Sequence, residues 1–201
     1  MTDQELRSDK LRSERGPVPP AYLAHIVRRT SQPAALVDWY KQVLGARVVY
    51  SDETLAFLTY DEEHHRLAII AIPGLPARSE YGVGTDHVAF TYTDLGDLLY
   101  TFERLKGAGI EPFWCINHGP TTSLYYKDPD GNCIELQIDN FASPAETDDW
   151  LKSGAFTANP IGVIFDPQDL LARYKAGEPT QDLVARPSLP EGVSPFDMLR
   201  A

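Results

Sequence analysis

The sequence predicts an α+β fold in which two βαβββ modules pair into a mixed sheet that forms a cleft. Two stretches with the same pattern predict it. Each opens with a histidine in a short strand-like run, His25 or His87, and continues into an amphipathic helix that ends at a Gly-Ala pair. The offset is constant, because His25 and His87 are 62 residues apart and so are Gly45 and Gly107. A matched offset over a whole unit indicates an internal repeat.

One helix is predicted in each module, from apolar residues spaced three and four positions apart. In the first module these residues are Ala35, Leu36, Trp39, Tyr40, Val43 and Leu44. In the second module they are Leu95, Leu98, Leu99, Phe102 and Leu105. Each helix therefore has one face to bury.

Three short strand candidates follow each helix, and turn signals separate them. They read RVVYSD, LAFLTY and HRLAIIAI in the first module, and EPFWCI, SLYY and CIELQI in the second. Half a sheet cannot bury its face alone. We therefore expect the modules, residues 21–73 and 85–140 of one domain at 21–140, to pack with their concave faces together. The cleft between them is the expected site.

The flanking segments differ from these modules. Residues 1–20 are rich in charge, contain three prolines near their end, and are predicted to form a flexible arm. Residues 141–201 are predicted to be an extension with one well-marked helix, because Asp166 can cap it, Pro167 can take its first position and Gly177 can end it. We expect the extension to pack on the domain or on a partner subunit, either as a structural cap or as a lid over the cleft.

Composition excludes several classes of partner. The formal net charge of −11 argues against nucleic acid and anionic membranes. No apolar run approaches the length needed to span a bilayer, and the N-terminus lacks the apolar core of a secretory signal. Two cysteines give no disulfide framework, so a reduced, cytoplasmic setting is the simple expectation.

Strand alternation predicts a metal site. His87 starts one strand, and Glu135 lies in another strand on the face opposite Ile134 and Leu136, which should pack under a helix. The repeat places His25 at the equivalent position of the first module. Two neutral imidazoles and one carboxylate form a set that leaves coordination positions open and suits non-haem Fe(II). A closed structural zinc site would want four ligands, usually with cysteine.

Each of these residues also has a plainer interpretation. A histidine in a strand is more often a hydrogen-bonded core or surface residue than a ligand, and Glu135 can instead pair with an arginine or lysine. The joint placement favours the metal site, because both histidines occupy equivalent repeat positions and Glu135 lies on the last strand of the second module.

The segment from Ile116 to Glu135 reads INHGPTTSLYYKDPDGNCIE and resembles the signature of the type I extradiol ring-cleavage dioxygenases, within the vicinal oxygen chelate superfamily. The positions that match are His118, Leu124, Tyr125, Asp128, Pro129, Gly131 and Glu135. Two further segments, HHRLAIIAIPG and AHIVRRT, resemble those that supply the acid/base histidine and the first metal ligand in that family.

The resemblance covers residues 20–140 and implies a glyoxalase-like fold in a single-domain form, because many members carry an additional metal-free double module for which this chain is too short. It implies that His25, His87 and Glu135 hold Fe(II), with Mn(II) as the alternative metal. It also implies that His65 is the acid/base, chosen over His64 from the register. His118 and Tyr125 are then expected to line the pocket for a catechol and O2. Phe113, Trp114 and Tyr126 are candidates either for aromatic walls of that pocket or for the core.

The implied function is an oxidoreductase of aromatic catabolism that cleaves a catechol ring beside its two hydroxyls and places both atoms of O2 in the product. A homo-oligomer is expected.

One alternative is a glyoxalase-like lyase or isomerase, which usually takes a fourth metal ligand from the last strand of the first module. Here that strand, RLAIIAIPG, offers none after Arg66. The other alternative is a metal-free small-molecule-binding protein, which would have no need to keep His25, His87 and Glu135 together. The sequence leaves open which catechol is used and which ring bond breaks.

Overall fold

The computed structural model describes residues 17–79 and 82–199. Most of the arm predicted at residues 1–20 therefore lies outside the described residues. Among those described, no helix combines the length and the apolar character that crossing a membrane requires.

The first module is a four-stranded mixed sheet with one helix. Its elements are β1 (Ile26–Thr30), α1 (Pro33–Leu44), β2 (Arg47–Ser51), β3 (Leu55–Thr59) and β4 (Leu67–Ala71). The strand order is β1-β4-β3-β2, with β1 parallel to β4 and the other pairs antiparallel. α1 begins at a proline, which suits the first helical position, and ends at Gly45, whose φ of 62° needs a residue without Cβ.

The second module repeats this order and gains one strand. Its elements are β5 (His87–Thr91), α2 (Leu95–Gly107), β6 (Trp114–Asn117), β7 (Thr121–Lys127) and β8 (Cys133–Asp139). The strand order is β5-β8-β7-β6-β9, with β5 parallel to β8. The added edge strand, β9 (Val163–Ile164), comes from the C-terminal extension and pairs antiparallel with β6. The predicted α+β fold of two strand–helix–three-strand modules is confirmed, although each module forms a mixed sheet of its own instead of sharing one.

One hydrophobic core joins the two modules. The apolar helix positions that the spacing predicts are buried in it, including Leu36 and Tyr40 of α1 and Leu99 and Phe102 of α2. The hydroxyl of Tyr40 also donates a 3.1 Å hydrogen bond to Asp128 in the turn before β8, so α1 is tied to the second module by a polar contact as well as by packing.

The C-terminal extension packs on the second module. It contains α3 (Pro144–Lys152), α4 (Ala155–Ala158), β9, α5 (Pro167–Lys175), α6 (Thr180–Leu183) and a 3-10 turn at Pro195–Met198. α5 is capped by the side chain of Asp166, which accepts from the backbone N–H of Gln168 at 2.8 Å, as the sequence predicts. Leucines of α5 and α6 join the main core: Leu170, Leu171 and Leu183.

Two leucine-to-alanine substitutions in helices should differ in how much they lower the free energy of unfolding, because only one of the leucines lies in the core. Leu99→Ala in α2 removes a side chain that is 1% exposed, and we expect it to lower the free energy of unfolding by about 2–5 kcal/mol. The matched control is Leu151→Ala in α3, where the leucine is 38% exposed, and its effect should stay below about 1 kcal/mol. Urea denaturation followed by circular dichroism measures both. Equal losses for the two variants would contradict the described packing.

Candidate active site

Strands β5 and β8 bring His87 and Glu135 together. They pair in parallel with Ala89 opposite Glu135, so His87 at the start of β5 lies two residues before that pair on the same face. The Nε2 atom of His87 is 3.1 Å from Oε2 of Glu135. Glu135 is only 5% exposed, although its neighbours on β8 point the other way into the core. The register of two strands thus places a carboxylate and an imidazole in contact on the face away from the helices.

The second ring nitrogen of His87 also meets a carboxylate. Its Nδ1 donates to Oδ2 of Asp86 at 2.7 Å. If the ring is neutral, Nε2 carries no proton, and its lone pair lies beside a buried carboxylate. Two electron-pair donors so placed are satisfied either by a proton on Nε2 or by a cation. The arrangement fits a divalent metal, since histidine ligands almost always give their other N–H to a carboxylate, a carbonyl or water.

His118 and Tyr125 form a hydrogen-bonded pair on the same face. Tyr125 lies opposite Glu135 in the β7–β8 register and is 3% exposed. Its hydroxyl is 3.0 Å from Nε2 of His118, whose Nδ1 lies 2.5 Å from the carbonyl oxygen of Ile161. A carbonyl can only accept, so Nδ1 carries the proton and Nε2 accepts from the tyrosine hydroxyl. Burial lowers the pKa of His118, so the ring is held neutral.

Apolar and aromatic side chains surround this pair. The Trp114 ring lies 4.7 Å from the Tyr125 ring, and Ile161 and Met198 of the extension pack in the same small cluster. The indole N–H of Trp114 donates to the carbonyl of Met198 at 3.0 Å. Of the aromatic candidates named from the sequence, Trp114 thus contacts the site, whereas Tyr126 is fully buried in the main core, where burial raises the pKa of its hydroxyl.

His25 and His65 belong to a second group, on the first module. Their rings are 4.5 Å apart, and His65 stacks on Phe57 with ring centroids 4.4 Å apart. Both residues precede strands, since β1 begins at Ile26 and β4 at Leu67. His65 also shares a 2.6 Å hydrogen bond between Nδ1 atoms with His64. Burial, and after it the nearby His64 and His25, lower the pKa of His65.

The predicted site residues therefore fall into two groups. His87, Glu135, His118 and Tyr125 lie together on the second module, while His25 and His65 contact each other on the first. Within residues 17–79 and 82–199, no group of three or more His, Cys, Asp or Glu side chains lies close enough to hold a metal ion. The three-ligand set of His25, His87 and Glu135 remains a prediction.

The sequence analysis did not identify several residues that contact the side chains of the site. Asp86 precedes His87 directly, so the Asp-His pair was a readable signal for a second partner of the ring. Ile161, Arg186 and Met198 reach the site from the extension, 43, 68 and 84 residues beyond the groups that they contact. Contacts over such separations have no local periodicity that could predict them.

Comparisons with known proteins agree with this fold. The model of the glyoxalase/bleomycin resistance protein/dioxygenase superfamily matches residues 22–136. Biphenyl-2,3-diol 1,2-dioxygenase 3 of Rhodococcus globerulus is 50% identical over 166 residues, which are 82% of this chain and 87% of that protein. Biphenyl-2,3-diol 1,2-dioxygenase 2 of the same organism is 49% identical over 157 residues, 78% of this chain and 83% of that protein.

A solved structure shows the same fold at lower similarity. The glyoxylase/bleomycin resistance protein/dioxygenase domain from Frankia sp. EAN1pec is 18% identical and superimposes with a TM-score of 0.51. The match covers 60% of this chain and 99% of that domain.

The buried position of His118 predicts how the ring titrates. Because burial lowers its pKa from the ordinary 6.5, the unfolded chain binds a proton on this ring at a higher pH than the folded protein does. The stability that neutral His118 contributes is therefore present above about pH 6.5 and is lost as the pH falls below it. A ¹⁵N NMR titration of labelled imidazoles should give a midpoint below that of the same ring in urea. Equal midpoints would contradict the burial of the neutral ring.

Proposed function

Because the chain belongs to the glyoxalase/bleomycin resistance protein/dioxygenase superfamily and, within it, to the extradiol ring-cleavage dioxygenases, we propose that it cleaves a biaryl catechol with O2 at a single Fe(II). The proposed ligands are His25, His87 and Glu135, with Mn(II) as the alternative metal. The observation that carries the proposal is the contact of His87 with the buried Glu135, beside the Tyr125 ring.

The chemistry of the donor set supports a metal. A carboxylate that is 5% exposed needs a nearby cation or donor, and the His87 ring already gives one N–H to Asp86. His25 is the histidine at the equivalent position of the other module, and two histidines with one carboxylate suit non-haem Fe(II). When bound, Fe(II) would supply a Lewis acid that lowers the pKa of the catechol hydroxyls, together with the one-electron chemistry that O2 requires.

The residues of the chain have separate tasks in this proposal. Tyr125 donates its hydroxyl proton to His118 and keeps oxygen lone pairs, so it can accept from a substrate hydroxyl. The unprotonated Nε2 of His118 can then take the proton passed through Tyr125. His65, neutral at pH 7 because its pKa is lowered, is the proposed general base and, after taking a proton, the general acid as the ring opens.

The surroundings of Tyr125 support a substrate with a second aromatic ring. Trp114, Ile161 and Met198 give this side of the pocket an apolar surface beside the polar pair. Such a surface suits an unsubstituted ring, and both Rhodococcus relatives are named for a biphenyl diol. The proposed substrate class is therefore a catechol that carries an aryl group next to its hydroxyls.

The two alternatives from the sequence make different demands on the site. A glyoxalase-like lyase or isomerase would usually need a fourth ligand from β4, which reads LAIIA and offers no ligating side chain. A metal-free binding protein would leave Glu135 with the His87 ring as its cation. Both alternatives predict no consumption of O2 with a catechol.

We also propose that copies of the chain associate. All five residues of the edge strand β2 are exposed, among them Val48, Val49 and Tyr50. An apolar edge strand is a favourable place for pairing with another chain.

The main test compares Glu135→Gln with the wild type after anaerobic loading with Fe(II). The wild type should consume O2 with 2,3-dihydroxybiphenyl and form a yellow ring-fission product. Glu135→Gln should lose bound iron and ring cleavage together, because a neutral amide is a poor ligand for a divalent metal. The matched control is Glu53→Gln at an exposed turn, which should behave as wild type. Full activity of an iron-loaded Glu135→Gln variant, or a wild type without O2 uptake on any catechol, would overturn the proposal.

A second test separates proton transfer from metal binding. His65→Phe should keep iron and still bind the catechol, yet lose turnover by about 10²–10⁴-fold, because a positioned acid/base contributes about that much. His64→Phe is the matched control, and its turnover should stay within a small factor of wild type. If only His64→Phe lost turnover, the roles of the two neighbours would be exchanged. If neither did, His65 would be a turn residue before β4 and no more.

A further inference from the structure

A single arginine of the extension ties the loop that carries His118 to the rest of the C-terminal segment. Nη1 of Arg186 donates to the carbonyl oxygens of His118 and Asn159 at 3.2 and 2.8 Å, and Nη2 donates to that of Ala155 at 3.0 Å. The guanidinium also lies over the Trp150 ring, 4.7 Å from its centroid. Hydrogen bonds from a charged donor are stronger than neutral ones, so this clamp joins three backbone segments firmly.

The clamp lies next to the carbonyl that meets the His118 ring. The side chain of Asn159 accepts from the N–H groups of Ile161 and Gly162 at 3.1 and 2.8 Å and donates back to the Gly162 carbonyl at 2.9 Å. This closed turn fixes the direction of the Ile161 carbonyl. Since Arg186 holds the Asn159 carbonyl, the turn and the His118 backbone are fixed relative to each other.

The backbone of this loop approaches its neighbours closely at two glycines. A Cβ added at Gly119 would lie 2.3 Å from the Trp150 ring, and one added at Gly162 would lie 2.5 Å from the carbonyl oxygen of Asn117. The Asn117 side chain donates to the carbonyl of Val184 at 2.9 Å, which adds a second tie between this loop and the segment before Arg186. Close backbone approach at two glycines thus accompanies the clamp.

We propose that Arg186 is a positioning residue for the reaction: through the Asn159 turn it holds the Ile161 carbonyl against Nδ1 of His118. The ring is thereby kept in the Nδ1–H form, and its Nε2 is kept as an acceptor for the Tyr125 hydroxyl. The inference rests on the proposed place of His118 in the substrate pocket. It assigns the extension a part in the chemistry that goes beyond covering the domain.

The test compares Arg186→Met, which keeps the length of the side chain but removes its donors, with Arg186→Lys, which keeps the charge but not the fork of donors. Arg173→Met is the matched control, because Arg173 lies in α5 of the same extension and pairs with Glu178 there. ¹⁵N NMR of labelled imidazoles reports the tautomer of His118 without any turnover. Steady-state kinetics of the iron-loaded protein separate kcat from KM.

We expect Arg186→Met to lose the single Nδ1–H tautomer and to lower kcat by about 10- to 100-fold, with bound iron close to wild type. Its unfolding midpoint should fall, because three charge-assisted hydrogen bonds are lost, but the variant should remain folded under assay conditions. The kcat of Arg186→Lys should lie between that of Arg186→Met and that of the wild type. Arg173→Met should match the wild type. In a His118→Ala background Arg186→Met should have no further effect on kcat, because the two act as one unit. If Arg186→Met does not fold, the tautomer in Arg186→Lys decides.

Two outcomes would overturn the inference. One is an unchanged tautomer and an unchanged kcat in Arg186→Met. The other is that Arg186→Met lowers kcat as much in the His118→Ala background as in the wild type. Both differ from failure of the proposed function, in which the wild type itself does not cleave any catechol. The tautomer measurement applies in that case too, because it depends only on the contact between His118 and Ile161.

Discussion

The burial of one carboxylate in β8 sets the requirements for the site. Ile134 and Leu136 of this strand pack in the core, and strand alternation places Glu135 on the opposite face. Glu135 is nevertheless almost completely buried. A charge in that position needs a partner, which explains why His87 stands beside it and why Asp86 in turn takes the far side of that ring. The packing of apolar side chains and the placement of the polar ones are thus consequences of the same alternation.

The two modules share a topology but differ in what covers them. In the second module the extension adds β9 beside β6 and lays Ile161 and Met198 near Tyr125. In the first module the equivalent edge, β2, is exposed along its whole length. Among the described residues, the ring neighbours of His65 are His25, His64 and Phe57. An internal repeat therefore supplies two similar surfaces, and a segment outside the repeat makes one of them different.

Local sequence patterns predicted the helices and the faces of the strands, because these depend on residues close together in the sequence. The spacing of Leu36 and Tyr40, or of Leu99 and Phe102, was enough to place the helices, and the alternation around Glu135 was enough to choose its face. Strand alternation predicted that His87 and Glu135 face the same side, and the two side chains contact each other. The contact of His118 with Ile161 and the clamp by Arg186 could not be predicted, because backbone carbonyls carry no sequence signal and the partners are far apart in the chain. The rotamers of His25 and His65, just outside their strands, likewise depend on packing that no periodicity encodes.

The long separation between Arg186 and the loop that it holds has a consequence for how the protein matures on the ribosome. Strands β1 to β8 have been translated by Asp139, whereas β9 and the core residues Leu170, Leu171 and Leu183 follow later. The guanidinium that fastens the His118 backbone is made 68 residues after His118 itself. During synthesis, the contacts between Arg186 and the His118 backbone can therefore form only after strands β1 to β8 have been made.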